Sequence, residues 1–302
     1  MKKSLIGILV VGIGVAVAVG AKQNPIRVEA GNLAIQPNLP EMVKIPAGAF
    51  LMGQEGGTEY EKPVHEVVLP DYWIAAREVT NSEYRRFCDA TGTPFPPAPL
   101  FDESGGYFTG KPDFPVVEVS WSDAARYCLW LSKRTGRTYR LPTEAEWEKA
   151  ARGGLQGKMY PWGDEADTTR ARCNLKALDG GPVKVGSYPP NGYGLYDMAG
   201  NVNEMCQDWF DEYYYRRSPK DDPEGPDGLR NYLTLLNPPE RSRSKGRCHI
   251  VRGGSYRAPI NWQTVGPDGR LETPIQCGAR EYLYQAPYTH FDLGFRVASR
   301  QG

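Results

Sequence analysis

The chain has 302 residues, of which 40% are hydrophobic, and its 36 Lys and Arg side chains are balanced by 36 Asp and Glu side chains. This length and composition are typical of a folded globular protein with one large core or two smaller ones, not of a disordered chain. Because the charges balance and no stripe of basic residues alternates with aromatic ones, we expect no nucleic-acid partner.

The N-terminal segment has the features of an export signal. Lys2 and Lys3 precede an apolar run at 5–21, and small residues at the end of that run suit cleavage by a signal peptidase. An uncleaved membrane anchor is the alternative, because about 18–20 apolar residues can span a bilayer. In both cases the folded part faces the oxidising side of the membrane, so we expect a periplasmic or other extracytoplasmic location. The predicted division is a signal peptide or N-terminal membrane anchor at 1–21, a linker at 22–40 and one domain at 41–300.

Short strands open the domain, and three helices follow them. Residues 43–52 have a β pattern with a turn at 46–48, and residues 67–75 are a second strand candidate. Each helix begins with a Ser or Thr that an acidic residue follows three positions later, the pattern of a capping box, and each ends at a glycine. The boxes begin at Thr80, Ser120 and Thr143, and the glycines are Gly92, Gly136 and Gly153. From residue 154 onward Gly, Pro, Asn and Asp are frequent, so we predict a second half dominated by loops within one compact α+β domain.

The cysteines and histidines do not form a recognisable metal motif. The chain has six cysteines, Cys88, Cys128, Cys173, Cys206, Cys248 and Cys277, and three histidines, His65, His249 and His290. No CxxC pair or zinc spacing occurs, so disulfides or buried thiols are favoured over metal ligands in an exported chain. The histidines lie far apart in the sequence, which gives little support to a histidine-based iron or zinc site.

One pair of carboxylates has a spacing that suits a hard cation. Asp197 and Glu204 lie on either side of a glycine turn, so both carboxylates and the carbonyls between them can converge on one point. Calcium binds six to eight oxygens of this kind. An Asp-capped turn with an exposed Glu is the alternative. Asn174 and Asp179 form a weaker oxygen-rich pair in another loop.

Nine short motifs occur in the order of one known family. They are MVKIPAGAFLMG at 42–53, EVTNSEY at 78–84, PVVEVSW at 115–121, RLPTEAEWE at 140–148, YPWG at 160–163, NGYGLY at 191–196, GNV at 200–202, RGGSY at 252–256 and LGFR at 293–296. Together they resemble the formylglycine-generating enzyme, or sulfatase-modifying factor, family over about residues 41–300. The resemblance implies a formylglycine-generating-enzyme fold, distantly like C-type lectins, with little regular secondary structure and with structural calcium.

The resemblance also implies specific calcium ligands. A first site takes the side chains of Asp197 and Glu204 and the carbonyls of Gly200 and Val202. A second site takes Asn174, the Leu175 carbonyl and Asp179, with Gly181 as a further candidate. The loop after Asp179 is shorter here than is usual in the family, which weighs against the second site.

The same family places two cysteines after Gly-Gly-Ser-Tyr, where they bind copper and oxidise a substrate cysteine. In this chain the first position is Ala258, and the second is Gln263 or, with an insertion, Glu272. Copper is therefore not expected, because an alanine, an amide or a carboxylate is a poor ligand for Cu(I). Asn203 and Met205 replace tryptophans that are usual beside the calcium glutamate. The candidate pocket residues are Ser255, Tyr256, Arg257, Asn261, Gln263, Glu272 and Arg280.

These features lead to two functional hypotheses. The first is an exported oxidase or maturation factor that acts on a periplasmic protein or small molecule, similar to the thiol-free, pyoverdine-maturing oxidase type. Its candidates for proton transfer are Glu272 and Tyr256, although no complete catalytic set is evident. The second is a non-catalytic, calcium-stabilised subunit of a membrane or periplasmic complex, with the insertion at 218–246 as its binding surface. In that case Ser255 and Arg280 only stabilise their loop. Formylglycine generation itself is disfavoured by Ala258.

Overall fold

The computed structural model describes residues 39–103, 105–174, 180–226, 248–260, 264–265, 271–272, 274–284 and 288–300. The predicted export segment and nearly all of the predicted linker lie outside these residues. Within the described residues no helix is long and apolar enough to cross a membrane.

Four α-helices and two short 3-10 helices form the helical part of the described residues. The α-helices are α1 (Asn81–Thr91), α2 (Tyr107–Gly110), α3 (Trp121–Thr135) and α4 (Glu144–Arg152), and the 3-10 helices are Glu59–Glu61 and Tyr214–Arg216. The three predicted capping boxes are present at α1, α3 and α4, and each of these helices ends at the predicted glycine in the left-handed conformation. The predicted boundaries are therefore confirmed, whereas the one-turn helix α2 has no cap signal and was not predicted.

Twelve short strands are present in the described residues. They are β1 (Met42–Ile45), β2 (Gly48–Met52), β3 (His65–Leu69), β4 (Tyr72–Ala75), β5 (Tyr139–Arg140), β6 (Asn203–Trp209), β7 (Cys248–Arg252), β8 (Thr264–Val265), β9 (Leu271–Glu272), β10 (Glu281–Tyr284), β11 (Leu293–Gly294) and β12 (Ala298–Ser299). The strand predicted at 67–75 is in fact two strands, because Pro70 cannot donate to a ladder and interrupts it.

The strands form two four-stranded sheets and two hairpins. The first sheet has the order β1-β4-β12-β5, and the second has the order β10-β7-β6-β11. Strand β11 runs parallel to β6, while the other pairs in the two sheets are antiparallel. Helices and sheets are thus mixed in one domain, which confirms the α+β fold class.

Aromatic side chains fill the core between α1, α3 and the C-terminal segment. The rings of Tyr84 and Tyr127 stack with centroids 5.9 Å apart, and Phe295 packs edge-on against Tyr127 at 5.4 Å. A second cluster surrounds Trp147 of α4, which is fully buried together with Ile250. The C-terminal LGFR motif therefore inserts a ring into the core that the N-terminal helices form.

All six cysteines are buried, and none of them forms a disulfide in the structure. The prediction of disulfides is therefore not supported, and the alternative of buried thiols describes the structure. Burial raises the pKa of Cys277 to about 12 and that of Cys88 to about 11, so these thiols stay protonated at neutral pH.

His249 lies between two tryptophans and gives the domain a predicted sensitivity to acid. Its ring stacks on Trp121 at 4.1 Å and on Trp209 at 3.9 Å between centroids. Burial lowers the pKa of His249 from 6.5 to about 3. Because the unfolded chain binds a proton at a pH where the folded chain does not, stability is complete above pH 6.5 and falls as the pH drops toward 3.

We expect His249→Gln to flatten this pH dependence even if it lowers stability overall. The measurement is the free energy of unfolding by urea at about pH 6.5 and about pH 4.5, where the wild type loses up to about 1.4 kcal/mol per pH unit to this group. The control is His65→Gln, which replaces a partly exposed histidine of β3 and against which the slope of His249→Gln is compared. An unchanged slope in His249→Gln contradicts the assignment.

Candidate functional site

Two glycines precede the turn that carries the candidate pocket residues. Gly253 has φ +89°, and a Cβ there would lie 3.1 Å from Cζ2 of Trp147. Gly254 has φ +67°, and a Cβ there would lie 2.9 Å from Cβ of Ala258. Both positions combine left-handed backbone with close packing, which only glycine tolerates. The pair therefore lets β7 end in a tight turn directly against α4.

Ser255, the first pocket candidate, is tied to the C-terminal segment. Its Oγ donates a hydrogen bond to Asp292 Oδ2 at 2.9 Å and accepts one from the Arg257 N–H at 3.2 Å. The other oxygen of Asp292 contacts Nδ1 of His290. Since Ser255 is only 2% exposed, its hydroxyl stabilises the turn in this structure.

Tyr256 and Arg257 are also buried, both among aromatic rings. The Tyr256 N–H donates to the Asn201 carbonyl at 2.9 Å, and its ring meets Phe101 edge-on at 5.9 Å. The Arg257 guanidinium lies 5.2 Å from the centroid of the Phe291 ring. Of the other candidates, Asn261 and Gln263 lie outside the described residues, and Glu272 lies on β9 with a side chain that is not described.

Ala258, where the resemblance implies the first copper cysteine, has an apolar environment. It packs in one cluster with Tyr160, Cys173 and Ile275. Cys173 is the only thiol in this cluster, and burial raises its pKa to about 11. Burial therefore keeps this thiol protonated at neutral pH.

Arg280 belongs to a buried ion network. Its Nε and Nη2 donate to the two oxygens of Glu144 at 2.7 and 3.0 Å. Arg252 donates to Glu144 at 3.1 Å and to Glu148 at 2.5 Å, and Arg152 donates to Glu148 at 2.6 Å. Burial acts to raise the pKa of Glu148, but the neighbouring arginines outweigh it, and the pKa is lowered. The structure thus places Arg280 in the interior rather than in an open pocket, as the stabilising role predicts.

Asn203 and Met205, where the resemblance implies tryptophans, lie in the interior. Met205 packs in the core with Val251 and Leu293. Asn203 is 5% exposed, and its Oδ1 accepts no hydrogen bond. Strand β6 therefore holds both side chains in the interior.

Glu204, an implied calcium ligand, is held by two side chains. Arg296 donates to its two oxygens at 2.5 and 2.6 Å, and Trp147 Nε1 donates to Oε2 at 2.8 Å. This bidentate pair is fully buried, because Glu204 and Arg296 each have no exposed surface. Three of the lone-pair positions of Glu204 are thereby occupied.

Asp197, the other implied side-chain ligand, lies beside a carboxylate that sequence reasoning missed. Its Oδ2 accepts a hydrogen bond from the Gly186 N–H at 2.6 Å, and its carboxyl group interacts directly with Glu78. Burial, followed by the charges of Asp197 and Glu204, raises the pKa of Glu78 well above its usual range. Burial also raises the pKa of Asp197. A concentration of carboxylates of this kind is one that a divalent cation can neutralise.

The second implied calcium site can be followed only in part. Asn174 is described and has φ +59°, while Leu175 and Asp179 lie outside the described residues. The Gly181 carbonyl accepts hydrogen bonds from Arg172 at 3.1 and 3.2 Å, so it faces a guanidinium. No group of three or more His, Cys, Asp or Glu side chains that could hold a metal occurs within the described ranges.

Sequence reasoning missed residues that complete these sites. Glu78 lies within the EVTNSEY motif and Arg296 within the LGFR motif, both of which carry the family resemblance. Their place in these motifs was the signal that the sequence offered. Asp292 had no such signal, because its contact with Ser255 joins segments 37 residues apart.

Comparisons with known proteins agree with this fold. A family model for the sulfatase-modifying factor enzyme 1-like domain matches residues 29–301. The formylglycine-generating enzyme of Streptomyces coelicolor is 36% identical over 294 residues, which cover 79% of this chain and 86% of the relative. A mouse relative described as inactive C-alpha-formylglycine-generating enzyme 2 is 37% identical over 214 residues, which cover 55% of this chain and 68% of that protein.

Solved structures give the same result. The structure of PvdO from Pseudomonas aeruginosa superposes with a TM-score of 0.67 at 28% identity, over 86% of this chain and 94% of PvdO. The Gly-Gly-Ser-Tyr turn, the buried arginine network and the matched family model therefore lead to one conclusion. The chain belongs to the sulfatase-modifying factor family, whose members include the formylglycine-generating enzymes.

Proposed function

We propose that the chain is an exported maturation factor of this family that acts on a periplasmic protein or small molecule without thiolate-bound copper. The observation that carries the proposal is Ala258 in an apolar cluster at the first copper-cysteine position, beside an otherwise intact Gly-Gly-Ser-Tyr turn. An oxidase that uses other groups fits this arrangement. The N-terminal apolar segment supports export, and residues 1–21 are its cleaved signal or its anchor.

The second candidate is a non-catalytic subunit of a membrane or periplasmic complex. It is favoured by two observations on the candidate pocket. Ser255 donates to Asp292, and Arg280 is enclosed by Glu144, so neither side chain is available to a substrate in this structure. Calcium bound near Asp197 serves as a structural cofactor in both candidates.

One experiment distinguishes formylglycine generation from both candidates. We expect the protein, expressed with its own N-terminal segment, to leave a cysteine-containing sulfatase peptide unchanged in the presence of copper and oxygen. Mass spectrometry of the peptide is the measurement, and the Streptomyces coelicolor enzyme is the positive control. Intact mass of the product shows whether residues 1–21 have been removed. Conversion of the peptide cysteine to formylglycine contradicts the proposal.

Metal analysis of the same preparation separates the two candidates. A redox metal near one ion per chain supports the oxidase. Calcium without a redox metal, together with a partner that remains bound through purification, supports the accessory subunit. The control is Ala258→Ser, which adds a hydroxyl and no thiol at this position, and it is expected to gain no tightly bound copper.

A further inference from the structure

The connection between α1 and α2 extends over the Gly-Gly-Ser-Tyr turn. Helix α1 ends at Thr91 and α2 begins at Tyr107, and the described residues between them form neither helix nor strand. Connections longer than about 12–15 residues without secondary structure are uncommon in compact domains, and many of them are active-site lids or binding loops. Residues 93–103 of this connection, the 93–103 loop, carry the side chain that reaches the turn.

Phe101 is the side chain by which the 93–103 loop contacts the candidate pocket. Its ring meets the ring of Tyr256 edge-on at 5.9 Å and that of Phe291 at 6.4 Å between centroids. Gly181 lies against the same ring, because a Cβ there would be 2.7 Å from Cδ2 of Phe101. Tyr256 has no exposed surface in this arrangement. Phe101 therefore helps to close the turn off from solvent.

The backbone around Phe101 bonds locally. The Asp102 N–H donates to the Pro99 carbonyl at 2.9 Å, which closes a turn with Leu100 and Phe101 at its centre. Proline has no N–H with which to bond the rest of the domain, and the loop contains four prolines, Pro94, Pro96, Pro97 and Pro99. Side-chain contacts such as those of Phe101 thus help to hold this part of the loop. Segments of this kind can open while the rest of a domain stays folded.

Both ends of the connection have the features of hinges. Gly92 at the end of α1 and Gly105 shortly before α2 each have φ +71°, and a Cβ at either position would meet no atom within 4 Å. Packing therefore does not lock the backbone at these two glycines. Phe95 anchors the first part of the loop to α1, since the Arg85 guanidinium lies over its ring at 3.7 Å.

We propose that the 93–103 loop is a lid over the Gly-Gly-Ser-Tyr turn, with Phe101 as the side chain that closes it. The inference rests on the proposed function, because the lid regulates access to the candidate pocket of that same site. When the loop moves away, the ring of Tyr256 and the turn at Gly181 become accessible. A substrate that reaches Tyr256 has to displace Phe101 first.

The test is nitration of Tyr256 in the full chain by tetranitromethane, measured by peptide mass spectrometry at low concentrations of urea. We expect the wild-type rate at Tyr256 to change little with urea, because opening of the lid exposes little surface. Tyr72 is the reference for global unfolding, since it is fully buried and donates to the Glu146 carbonyl at 2.6 Å. Its rate is expected to rise steeply with urea. A rate at Tyr256 with the same urea dependence as that at Tyr72 overturns the inference.

Variants at the centre of the turn test the role of Phe101. Phe101→Ala removes the closing ring and is expected to raise the rate of Tyr256 nitration at least about tenfold. The matched control is Leu100→Ala at the neighbouring position, where the side chain is 68% exposed. We expect this control to stay within about twofold of the wild type.

Gly181→Ala tests the same contact and leaves Phe101 in place. Its added methyl group has to displace the Phe101 ring, so we expect faster nitration of Tyr256 here as well. The control is Gly180→Ala, which also has a left-handed backbone, with φ +81°. There the Cβ would meet only the end of the Arg172 side chain, at 3.0 Å, and the rate is expected to stay near that of the wild type.

Three outcomes contradict the lid. They are an unchanged rate at Tyr256 in both Phe101→Ala and Gly181→Ala, an equal acceleration in Leu100→Ala, and faster nitration of Tyr72 in Phe101→Ala, which would show that this ring supports the whole fold. None of these measurements involves the sulfatase peptide or a bound metal. Failure of the lid therefore leaves the proposed function to its own tests, and failure of the proposed function does not change these rates.

Discussion

Replacing Glu144 by Gln is expected to lower the free energy of unfolding by about 3–5 kcal/mol. Glu144 accepts from both Arg280 and Arg252 in the interior, and the substitution leaves these two buried guanidinium groups facing a neutral amide, with Glu148 as the carboxylate that still pairs with Arg252. The measurement is chemical unfolding followed by tryptophan fluorescence. Because these ion pairs lie in the interior, the loss of stability arises from the uncompensated positive charge of the arginines rather than from one lost hydrogen bond.

The matched control is Glu59→Gln, which breaks a surface pair. Glu59 is 77% exposed at its side chain and lies 3.3 Å from Lys62, so we expect its loss to cost less than about 1 kcal/mol. The double variant Glu144→Leu with Arg280→Met is expected to lose less stability than the sum of its single variants, since no unpaired charge remains between the two positions. Equal costs at Glu144 and Glu59 contradict the role given to the network.

Gly200→Ala is the second change with a large expected effect. Gly200 has φ +80°, and a Cβ there would lie 2.2 Å from the carbonyl oxygen of Arg172. The turn is fixed on both sides by hydrogen bonds, from the Gly200 N–H to Gly253 at 2.9 Å and from the Asn201 N–H to Arg172 at 2.8 Å. The added methyl group must displace that backbone, which adds about 1–3 kcal/mol to the cost of the left-handed conformation itself.

Gly194→Ala separates the steric part from the conformational part. Gly194 has nearly the same φ, +84°, but a Cβ there meets nothing within 4 Å. We expect the free energy of unfolding of this variant to fall by about 1–2 kcal/mol, which is the cost of the left-handed conformation for a residue with a Cβ. If both variants unfold at the same denaturant concentration, close approach to Arg172 does not restrict Gly200.

The local parts of the fold could be predicted from the sequence, and the reason is physical. A capping box and a terminal glycine form hydrogen bonds with residues a few positions away. The ends of α1, α3 and α4 can therefore be predicted from residues that are close together in the sequence. The pairing of β6 with β11 and the buried contact of Arg280 with Glu144 join distant segments. No local pattern specifies such contacts.

The candidate site shows the same division. The family motifs pointed to Ser255 and Arg280 but not to their partners, Asp292 and Glu144. Because these partners hold both side chains in the interior, Ser255 and Arg280 do not line an open pocket in this structure. The cysteines were a compositional signal only, and the structure has them as buried thiols. The spacing of the carboxylates pointed to Asp197 as a calcium ligand. It did not point to Glu78, which interacts directly with Asp197 although it lies 119 residues earlier in the sequence.

The position of β12 determines when this domain can fold during its synthesis. This strand, at residues 298–299, lies between β4 and β5 in the first sheet. It therefore separates two strands that come much earlier in the sequence. The first sheet can therefore be completed only after residues 298–299 have left the ribosome.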